Sequence, residues 1–280
     1  MADSDVTVVI PTHRRNEFLP ETIASVLAQE LAPAALIVSD DVGDPATRQI
    51  VEEWAARAPF PVRYLDSSGP GAGTAGASRN AGASLATTSA LAFVDDDDVW
   101  HPPFLARLVA AIEAEGADFA VCWGTADVPD FTFPRARPGL TATDAVARNP
   151  GFGGCNIVIR TERFRALGGF DPELTVSNDK DLYVRALAAG ATYALVPEVL
   201  ATYRVHAAGQ LTDKTPRRAE GIRRYIAKHD SLLDARGRRY LRAQLASVLR
   251  VTAPSLAARW RYTGELAVLR IALALRPEAR

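Results

Sequence analysis

The chain has 280 residues, of which 48% are hydrophobic and 23% charged, and this composition excludes the disordered, collagen-like and coiled-coil classes. Its length fits one large domain with an appendage. The 32 basic and 33 acidic side chains give a net charge of -1, but they are unevenly distributed. Residues 214–280 hold 16 basic and 5 acidic side chains, so a basic tail follows an acidic body.

No segment approaches the roughly 18 uninterrupted apolar residues of a membrane span. Acidic residues stand near the N-terminus, where a secretory signal would carry bases. These features predict a cytoplasmic protein. Cys122 and Cys155 lie in apolar, strand-like segments, so we expect both thiols to be reduced, buried and structural.

The first half of the chain alternates strand and helix patterns. Strands are predicted at 6–10, 36–39, 62–65 and 90–94. Helices are predicted from Asn16, from Asp44 and around 78–86, with Asn16 and Asp44 as caps. This alternation predicts a mainly parallel sheet with helices on both faces, whose ligands bind beyond the carboxyl ends of the strands.

The second half is less regular. The predicted elements are a helix at 104–115 ended by Gly116, strands at 118–123, 155–160, 193–196 and 199–205, a proline-rich loop region at 127–150, and helices at 161–167 and 180–189. Beyond Thr212 the pattern changes to arginine-rich helices. We therefore expect an α/β domain at 1–212 and a basic, mostly helical C-terminal extension at 213–280.

Four adjacent carboxylates, Asp95–Asp98, follow the apolar strand at 90–94. Because they repel one another, a divalent cation such as Mg²⁺ or Mn²⁺ is the usual means of holding them together. Alternate residues of an extended segment point the same way, so Asp95 and Asp97 can share a cation. The alternative is a solvated acidic turn, which the apolar strand before it and Trp100 after it disfavour.

A second acidic pair, Asp40 and Asp41, ends the second predicted strand at the same edge of the sheet. A carboxylate at this position can accept hydrogen bonds from a ribose or a nucleobase. The alternative is a turn that caps the helix after Asp44. The run from Gly71 to Gly76 matches G-x-G-x-x-G, but it follows the third strand rather than the first, so we interpret it as a flexible loop near phosphates rather than a dinucleotide site.

Seven segments in order resemble the motifs of family 2 glycosyltransferases of the GT-A fold. They are residues 7–15, 39–41, 78–80, 93–98 with the Trp-His-Pro after it, 164–171, 178–186 and 203–206. The resemblance covers about residues 5–210. It implies an inverting transfer of a sugar from a UDP-, GDP- or dTDP-type nucleotide-diphosphate donor to an acceptor hydroxyl, assisted by Mn²⁺ or Mg²⁺.

The resemblance also implies a role for each matching residue. The residues expected to bind the nucleotide sugar are Pro11, Thr12, Arg14, Asp41, Arg79, Asp95 and Asp96. Asp97 and His206 are expected to bind the metal, and Asp179 is expected to act as the general base. Two positions depart from the family pattern: Asp40-Asp41-Val-Gly-Asp replaces Asp-Asp-Gly-Ser, and Asn178 replaces the Glu before the base. Simple capping of the helix at 180–189 is the alternative role for Asp179.

Two other functions are alternatives to glycosyl transfer. A nucleotidyltransferase that makes the sugar nucleotide would need a glycine-rich loop after the first strand, and residues 11–15 lack glycine. A non-catalytic nucleotide-sugar-binding protein would not need both Asp97 and Asp179.

The basic tail combines arginines with an apolar, tryptophan-containing stretch. Its arginines crowd at Arg217, Arg218, Arg223, Arg224, Arg236, Arg238 and Arg239. This pattern fits contact with an anionic membrane surface or an anionic acceptor, and it fits equally a helical face that packs on the body or on a second subunit in a homodimer. Nucleic acid is not an expected partner.

Overall fold

The computed structural model describes residues 5–128, 133–205 and 213–275, and within them it forms an eight-stranded sheet. The strands are β1 (Val6–Thr12), β2 (Ala35–Asp40), β3 (Val62–Asp66), β4 (Ala90–Phe93), β5 (Val99–Trp100), β6 (Phe119–Ala126), β7 (Ile157–Arg160) and β8 (Tyr193–Tyr203). The helices are α1 (Leu19–Leu27), α2 (Pro45–Ala55), α3 (Ala75–Ser84), α4 (Phe104–Glu115), α5 (Ala142–Ala147), α6 (Thr161–Ala166), α7 (Asn178–Ala188), α8 (Pro216–Lys228), α9 (Ala235–Val251) and α10 (Leu256–Ala274).

The strand order across the sheet is β3-β2-β1-β4-β7-β6-β8-β5. The first four strands are parallel neighbours, β7 runs antiparallel to β4 and β6, β8 is parallel to β6, and β5 is antiparallel to β8. The predicted α/β class with a mainly parallel sheet is confirmed. Because β1, β2 and β4 are adjacent and parallel, their carboxyl ends meet at one edge of the sheet.

Strand β1 is buried along its whole length because its alternate side chains enter two different cores. Val8 and Ile10 pack in the cluster that contains Leu108 of α4. Val9, between them, packs in the cluster that contains Leu182 of α7. A strand covered on both faces is a continuous apolar run in the sequence, which is the pattern that predicted it.

Several helix ends follow from the sequence, and one does not. The Asp44 side chain accepts a hydrogen bond from the Ala46 N–H at 2.9 Å, and α4 ends at Gly116 with φ +60°, so both predictions are confirmed. The predicted cap at Asn16 is wrong, because α1 begins three residues later at Leu19. The Asn16 side chain instead bonds Asp44 and Thr47 and ties the β1–α1 loop to α2.

Two elements of the second half differ from the prediction. Helix α5 lies inside the expected loop region at 127–150, and a capping box of Thr141 and Asp144 starts it. Strand β8 is continuous where two strands were expected, because a shift of register against β6 at Trp123 absorbs the irregularity.

The C-terminal helices share apolar clusters with the α/β body. Tyr225 of α8 and Leu241 of α9 pack with Val146 of α5 and Val184 of α7. Helix α10 packs along α9 through Leu266. The predicted helical character of the tail is confirmed, whereas the domain boundary near residue 212 stays a prediction. Among the described residues, no helix is both long enough and apolar enough to cross a bilayer.

A buried carboxylate joins α7 to α8. Asp181 accepts hydrogen bonds from Arg185 Nε at 2.8 Å, and its other oxygen lies 2.8 Å from Lys228 Nζ and 2.9 Å from His229 Nε2. Burial alone would raise the pKa of Asp181, but the hydrogen bonds from His229 and Lys228 and the charge of Arg185 lower it to about 2. The ionised carboxylate therefore stabilises the contact between the C-terminal extension and the body.

We expect Asp181→Asn to lower the free energy of unfolding at pH 7 by about 2–4 kcal/mol, because it removes one partner of a buried charged cluster. The pKa of Asp181 is lower in the folded state, so its stabilising effect is complete above about pH 4 and is lost as the pH falls toward 2. Urea unfolding of wild type and Asp181→Asn should show a difference in the free energy of unfolding that becomes smaller as the pH falls toward 2.

Asp230→Asn is the matched control, since Asp230 pairs with Arg238 on the surface and its removal should change stability little. Equal stability of wild type and Asp181→Asn at pH 7 would show that the cluster contributes nothing.

Candidate functional site

A cleft of about 850 Å³ opens at the carboxyl ends of β1, β2 and β4. Its lining comes from the loops after these strands, from the Gly-rich loop, from the segments at 133–134 and 149–154, and from the starts of α7 and α8. The lining residues with ionisable side chains are His13, Arg15, Asp41, Asp95, Asp96, Asp97, Asp98, Asp179, Arg204 and Arg217.

The acidic loop, Asp95–Asp98, begins two residues after β4 ends and is largely buried. Asp98 accepts hydrogen bonds from the Cys155 thiol at 2.7 Å and from the Arg204 backbone N–H at 3.0 Å. Asp96 accepts from Thr12 Oγ1 at 2.8 Å and from the His13 N–H at 3.3 Å. The loop is therefore held between the β1–α1 loop, the segment before β7 and the end of β8.

Two carboxyl groups of this loop have raised pKa values. Burial raises the pKa of Asp96 to about 6, and the neighbouring charge of Asp97 adds to this effect while Arg15 opposes it. Burial also raises the pKa of Asp98, together with the charges of Asp95 and Asp97. Crowded carboxylates of this kind favour a bound cation, because a positive charge relieves both the repulsion and the desolvation.

Arg15 supplies one positive charge to the acidic loop. Its guanidinium bonds Asp97 and lies 3.3 Å from Asp96, and the charges of Asp97 and Asp96 raise its pKa despite its burial. The neighbouring Arg14, predicted to bind the nucleotide, is exposed and has φ +57°, a left-handed conformation that is uncommon for a residue other than glycine. The turn at Arg14 directs Arg15, and not Arg14, into the cleft.

The two acidic residues after β2 have different environments. Asp40 is fully buried and accepts hydrogen bonds from the N–H groups of Val42 and Asp44 and from the Tyr64 hydroxyl. It organises the β2–α2 turn. Asp41 faces the cleft, and its Oδ1 lies 2.6 Å from His13 Nδ1. The turn-forming role thus belongs to Asp40, whereas Asp41 lines the cleft and is bonded to His13.

Arg79 of α3 is a buried charge at the base of the site. Its guanidinium bonds Asp95 and donates to Asn178 Oδ1 at 3.2 Å. The charges of Asp95 and Asp179 raise its pKa despite complete burial, so it remains a cation. Within the described residues its Nε has no hydrogen-bond partner. Arg79 does not line the cleft, and it connects the acidic loop to the start of α7.

Asp179 lies in the first turn of α7 and lines the cleft. Its Oδ1 accepts a hydrogen bond from the Lys180 N–H at 2.7 Å. Burial raises the pKa of Asp179, although that hydrogen bond and the charge of Arg79 act in the opposite direction. A carboxylate with a raised pKa is a stronger proton acceptor than an exposed aspartate.

Lys180, next to Asp179, points away from solvent into the C-terminal extension. Its Nζ lies 4.1 Å from the centre of the Tyr225 ring in α8, and burial lowers its pKa to about 8. Together with Asp181, Lys180 attaches the first turn of α7 to α8. The backbone that carries Asp179 is therefore supported by the C-terminal helices.

Sequence reasoning missed several residues of the cleft. The sequence motifs gave no role to His13 or Arg15, and both line the cleft. Phe133 stacks on Tyr203 with ring centres 4.2 Å apart, and both residues line the cleft. Arg217 of α8 bonds the Gly73 carbonyl oxygen, so the tail also contributes to the cleft. Long-range contacts of this kind leave no local pattern in the sequence.

The predicted site residues are mostly brought together. Those that line the cleft are Pro11, Thr12, Asp41, Asp95, Asp96, Asp97 and Asp179. Arg79 lies behind Asp95, Arg14 is exposed outside the lining, and His206 lies outside the described residues. Their roles stay predictions.

The donor atoms of the acidic loop suit a hard divalent cation. Carboxylate oxygens of Asp95 and Asp97 are the ligands that Mg²⁺ and Mn²⁺ prefer. Ligand atoms of Asp95, Asp98 and Cys155 also lie within 4.8 Å of one another. Cys155 is unsuited to such a cation, because burial raises the pKa of its thiol and that thiol donates to Asp98. Cys122 and Cys155 are both free and buried, as expected.

The sheet order and the acidic loop define an α/β protein of the GT-A glycosyltransferase fold. Residues 7–164 match the profile of Glycosyl transferase family 2, and the chain belongs to this family.

The solved structures that share the fold include the following two. One is TarS of S. aureus in complex with UDP-GlcNAc, with a TM-score of 0.68 and 17% identity over 96% of this chain and 80% of that one. The other is the mannosyltransferase PcManGT from Pyrobaculum calidifontis in complex with GDP-Man and Mn²⁺, with a TM-score of 0.65 and 19% identity over 97% of this chain and 81% of that one.

A curated relative, the succinoglycan biosynthesis protein ExoO of Rhizobium meliloti (strain 1021), is 29% identical over 220 residues, which cover 72% of this chain and 61% of ExoO. Two further curated glycosyltransferases match over 108 residues each, which are 33% and 23% of their lengths. The chain thus spans less than two thirds of the length of these relatives.

Proposed function

We propose that the protein transfers a sugar, with inversion at the anomeric carbon, from a nucleotide-diphosphate donor to an acceptor hydroxyl, with Mn²⁺ or Mg²⁺ bound. One observation carries this proposal: a single cleft is lined by both the acidic loop and Asp179, and the buried cation Arg79 is bonded to Asp95 between them. The reaction needs a site for the diphosphate and a separate proton acceptor, and the cleft offers both.

The donor nucleotide fits the part of the cleft formed by β1 and β2. Pro11 and Thr12 line it from the end of β1, and Asp41 lines it from the end of β2. A carboxylate at the end of a parallel strand can accept hydrogen bonds from a ribose or a base. The solved neighbours with this fold hold UDP-GlcNAc and GDP-Man, which supports a nucleotide-sugar donor here.

The cation is assigned to Asp97, with Asp95 as its companion. A bound Mg²⁺ or Mn²⁺ would neutralise charge on the diphosphate as it leaves. Asp96 is held by Thr12 and the His13 N–H, so its carboxylate lies toward the nucleotide loop. The Mn²⁺ in PcManGT supports a divalent cation for this chain.

Asp179 is assigned as the general base. The acceptor oxygen attacks the anomeric carbon while Asp179 takes its proton. The bond from that carbon to the diphosphate oxygen breaks, and its electron pair leaves with the nucleoside diphosphate. The raised pKa of Asp179 supports this role, because the proton of a hydroxyl group needs a basic acceptor as it leaves.

Thermal unfolding with UDP-, GDP- and dTDP-sugars, each with Mn²⁺ or with a chelator, tests the donor and the cation. A donor present at a hundredfold its Kd stabilises the fold by about 2.7 kcal/mol, which should raise Tm by roughly 5–10 °C. We expect one nucleotide class to do so, and only with the metal.

The matching free nucleoside monophosphate is the control, because it lacks the diphosphate. The absence of any shift with all donors, with or without metal, would contradict the proposal. A metal-dependent rise in Tm, in a protein that does not hydrolyse the donor even slowly, would instead indicate a non-catalytic binding protein.

A further inference from the structure

Helix α10 presents a row of large apolar side chains to solvent. This apolar stripe consists of Leu256, Trp260, Val268, Ile271 and Leu275, which are 59–77% exposed. At 3.6 residues per turn the five positions fall within a sector of about 120° on one side of the helix. Single exposed apolar residues are ordinary on a protein surface, but five on one side of one helix indicate a surface that something covers.

The stripe is not the face that holds α10 to the body. The face that packs on α9 consists of Leu266, which is 6% exposed, with Leu269 and Leu273 partly buried beside it. These residues lie on the other side of the helix from Trp260 and Ile271. Helix α10 thus has two apolar faces: among the described residues, one packs on α9 and the other is exposed to solvent.

Arginines border the stripe on both sides. Arg259 and Arg270 flank one edge and Arg261 flanks the other, and all three are exposed. Glu265 is the one acidic residue in the sequence of α10, and it lies outside the stripe. An apolar face with a tryptophan and basic borders is typical of a helix that lies in the plane of a membrane interface.

We infer that the apolar stripe of α10 rests on an anionic lipid bilayer. Trp260 and its apolar neighbours would enter the boundary between headgroups and acyl chains, and Arg259, Arg261 and Arg270 would meet the lipid phosphates. The sequence of the whole tail also has an excess of basic residues, 16 against 5 acidic between 214 and 280.

Charge disfavours a second copy of this chain as the occupant. A twofold contact places the same patch of both subunits face to face. The arginines at the edges of one stripe would then approach the arginines of the other, and Glu265 alone is too little to offset them. An anionic surface pairs all three arginines.

Vesicle flotation of the full chain tests the inference. We expect binding to vesicles of equal parts phosphatidylglycerol and phosphatidylcholine, little binding to phosphatidylcholine alone, and weaker binding as salt is raised. Arg259→Gln with Arg270→Gln should weaken partitioning roughly fivefold for each arginine removed. Trp260→Ser with Ile271→Ser should weaken it at least about tenfold.

Two matched controls are exposed residues elsewhere, Arg63→Gln on β3 and Leu85→Ser after α3, which should bind as wild type does. All the altered residues are exposed, so Tm should change little. Equal binding to vesicles with and without phosphatidylglycerol would overturn the inference. Binding by both α10 variants at the wild-type level would also overturn it. A dimer in light scattering that Trp260→Ser with Ile271→Ser dissociates, without vesicle binding, would assign the stripe to a second copy instead.

Discussion

Asp179→Asn is expected to lower the rate of sugar transfer by about 10²–10⁴, the usual contribution of a positioned general base. Asparagine keeps the size of the side chain and the hydrogen bond from the Lys180 N–H, but it cannot take a proton. Donor affinity and metal dependence should survive, because the acidic loop is unchanged. The measurements are calorimetric donor affinity and initial transfer rate on one preparation.

The pH profile provides a second test of the same substitution. Wild-type transfer should decline as the pH falls through the raised pKa of Asp179, because protonation removes the base. This acid limb should be absent from the residual activity of Asp179→Asn. The variant should also be at least as stable as wild type at pH 7, since burial disfavours the ionised carboxylate that it removes.

Asp171→Asn is a suitable control, because Asp171 bonds Lys228 away from the cleft. Near-normal transfer by Asp179→Asn would refute the assignment of the base. Asp181 could not then take over the role, since it is fully buried and bonded to Arg185, Lys228 and His229.

Asp97→Asn is expected to abolish turnover while the protein remains folded. In the proposed mechanism this carboxylate holds the cation, and an amide is a much weaker ligand for a hard divalent ion. The fold should tolerate the change, because removing one of four crowded carboxylates also removes repulsion from Asp96 and Asp98, whose pKa values are raised. Turnover at limiting Mn²⁺ and a thermal unfolding curve measure the two effects.

Asp95→Asn is the informative comparison. Asp95 is already bonded to Arg79, so its substitution should raise the Mn²⁺ concentration needed for activity without abolishing it. An Asp97→Asn protein that keeps wild-type turnover at limiting Mn²⁺ would remove Asp97 from the metal site.

The parts of the fold that could be predicted are those with a local physical cause. The buried β1 is recognisable because both of its faces are apolar, and the start of α2 because Asp44 caps it and Pro45 follows. Helix α5 could not be found in this way. It has six residues, and its stability comes from packing against α7 and α9, which lie far away in the sequence.

In the candidate site, too, the residues that could be predicted are those with a local cause in the sequence. The acidic loop and Asp41 were found because carboxylates at strand ends are conspicuous in a sequence. The choice between Arg14 and Arg15 was not open to sequence reasoning, since it depends on the positive φ of Arg14, which turns the chain. Arg217 is separated from Gly73 by 144 residues, so their hydrogen bond could be known only from the fold.

The apolar clusters between the C-terminal helices and the body affect how shortened versions of this protein should be interpreted. Cutting the chain at residue 212 would expose Leu174 and Val184, which Tyr225 and Leu241 cover in the intact protein. It would also remove the ring that shields Lys180, one residue from Asp179. If such a fragment were inactive, the cause would be a damaged core rather than the loss of an acceptor site. Substitutions on the outer surface of α10 leave that core intact.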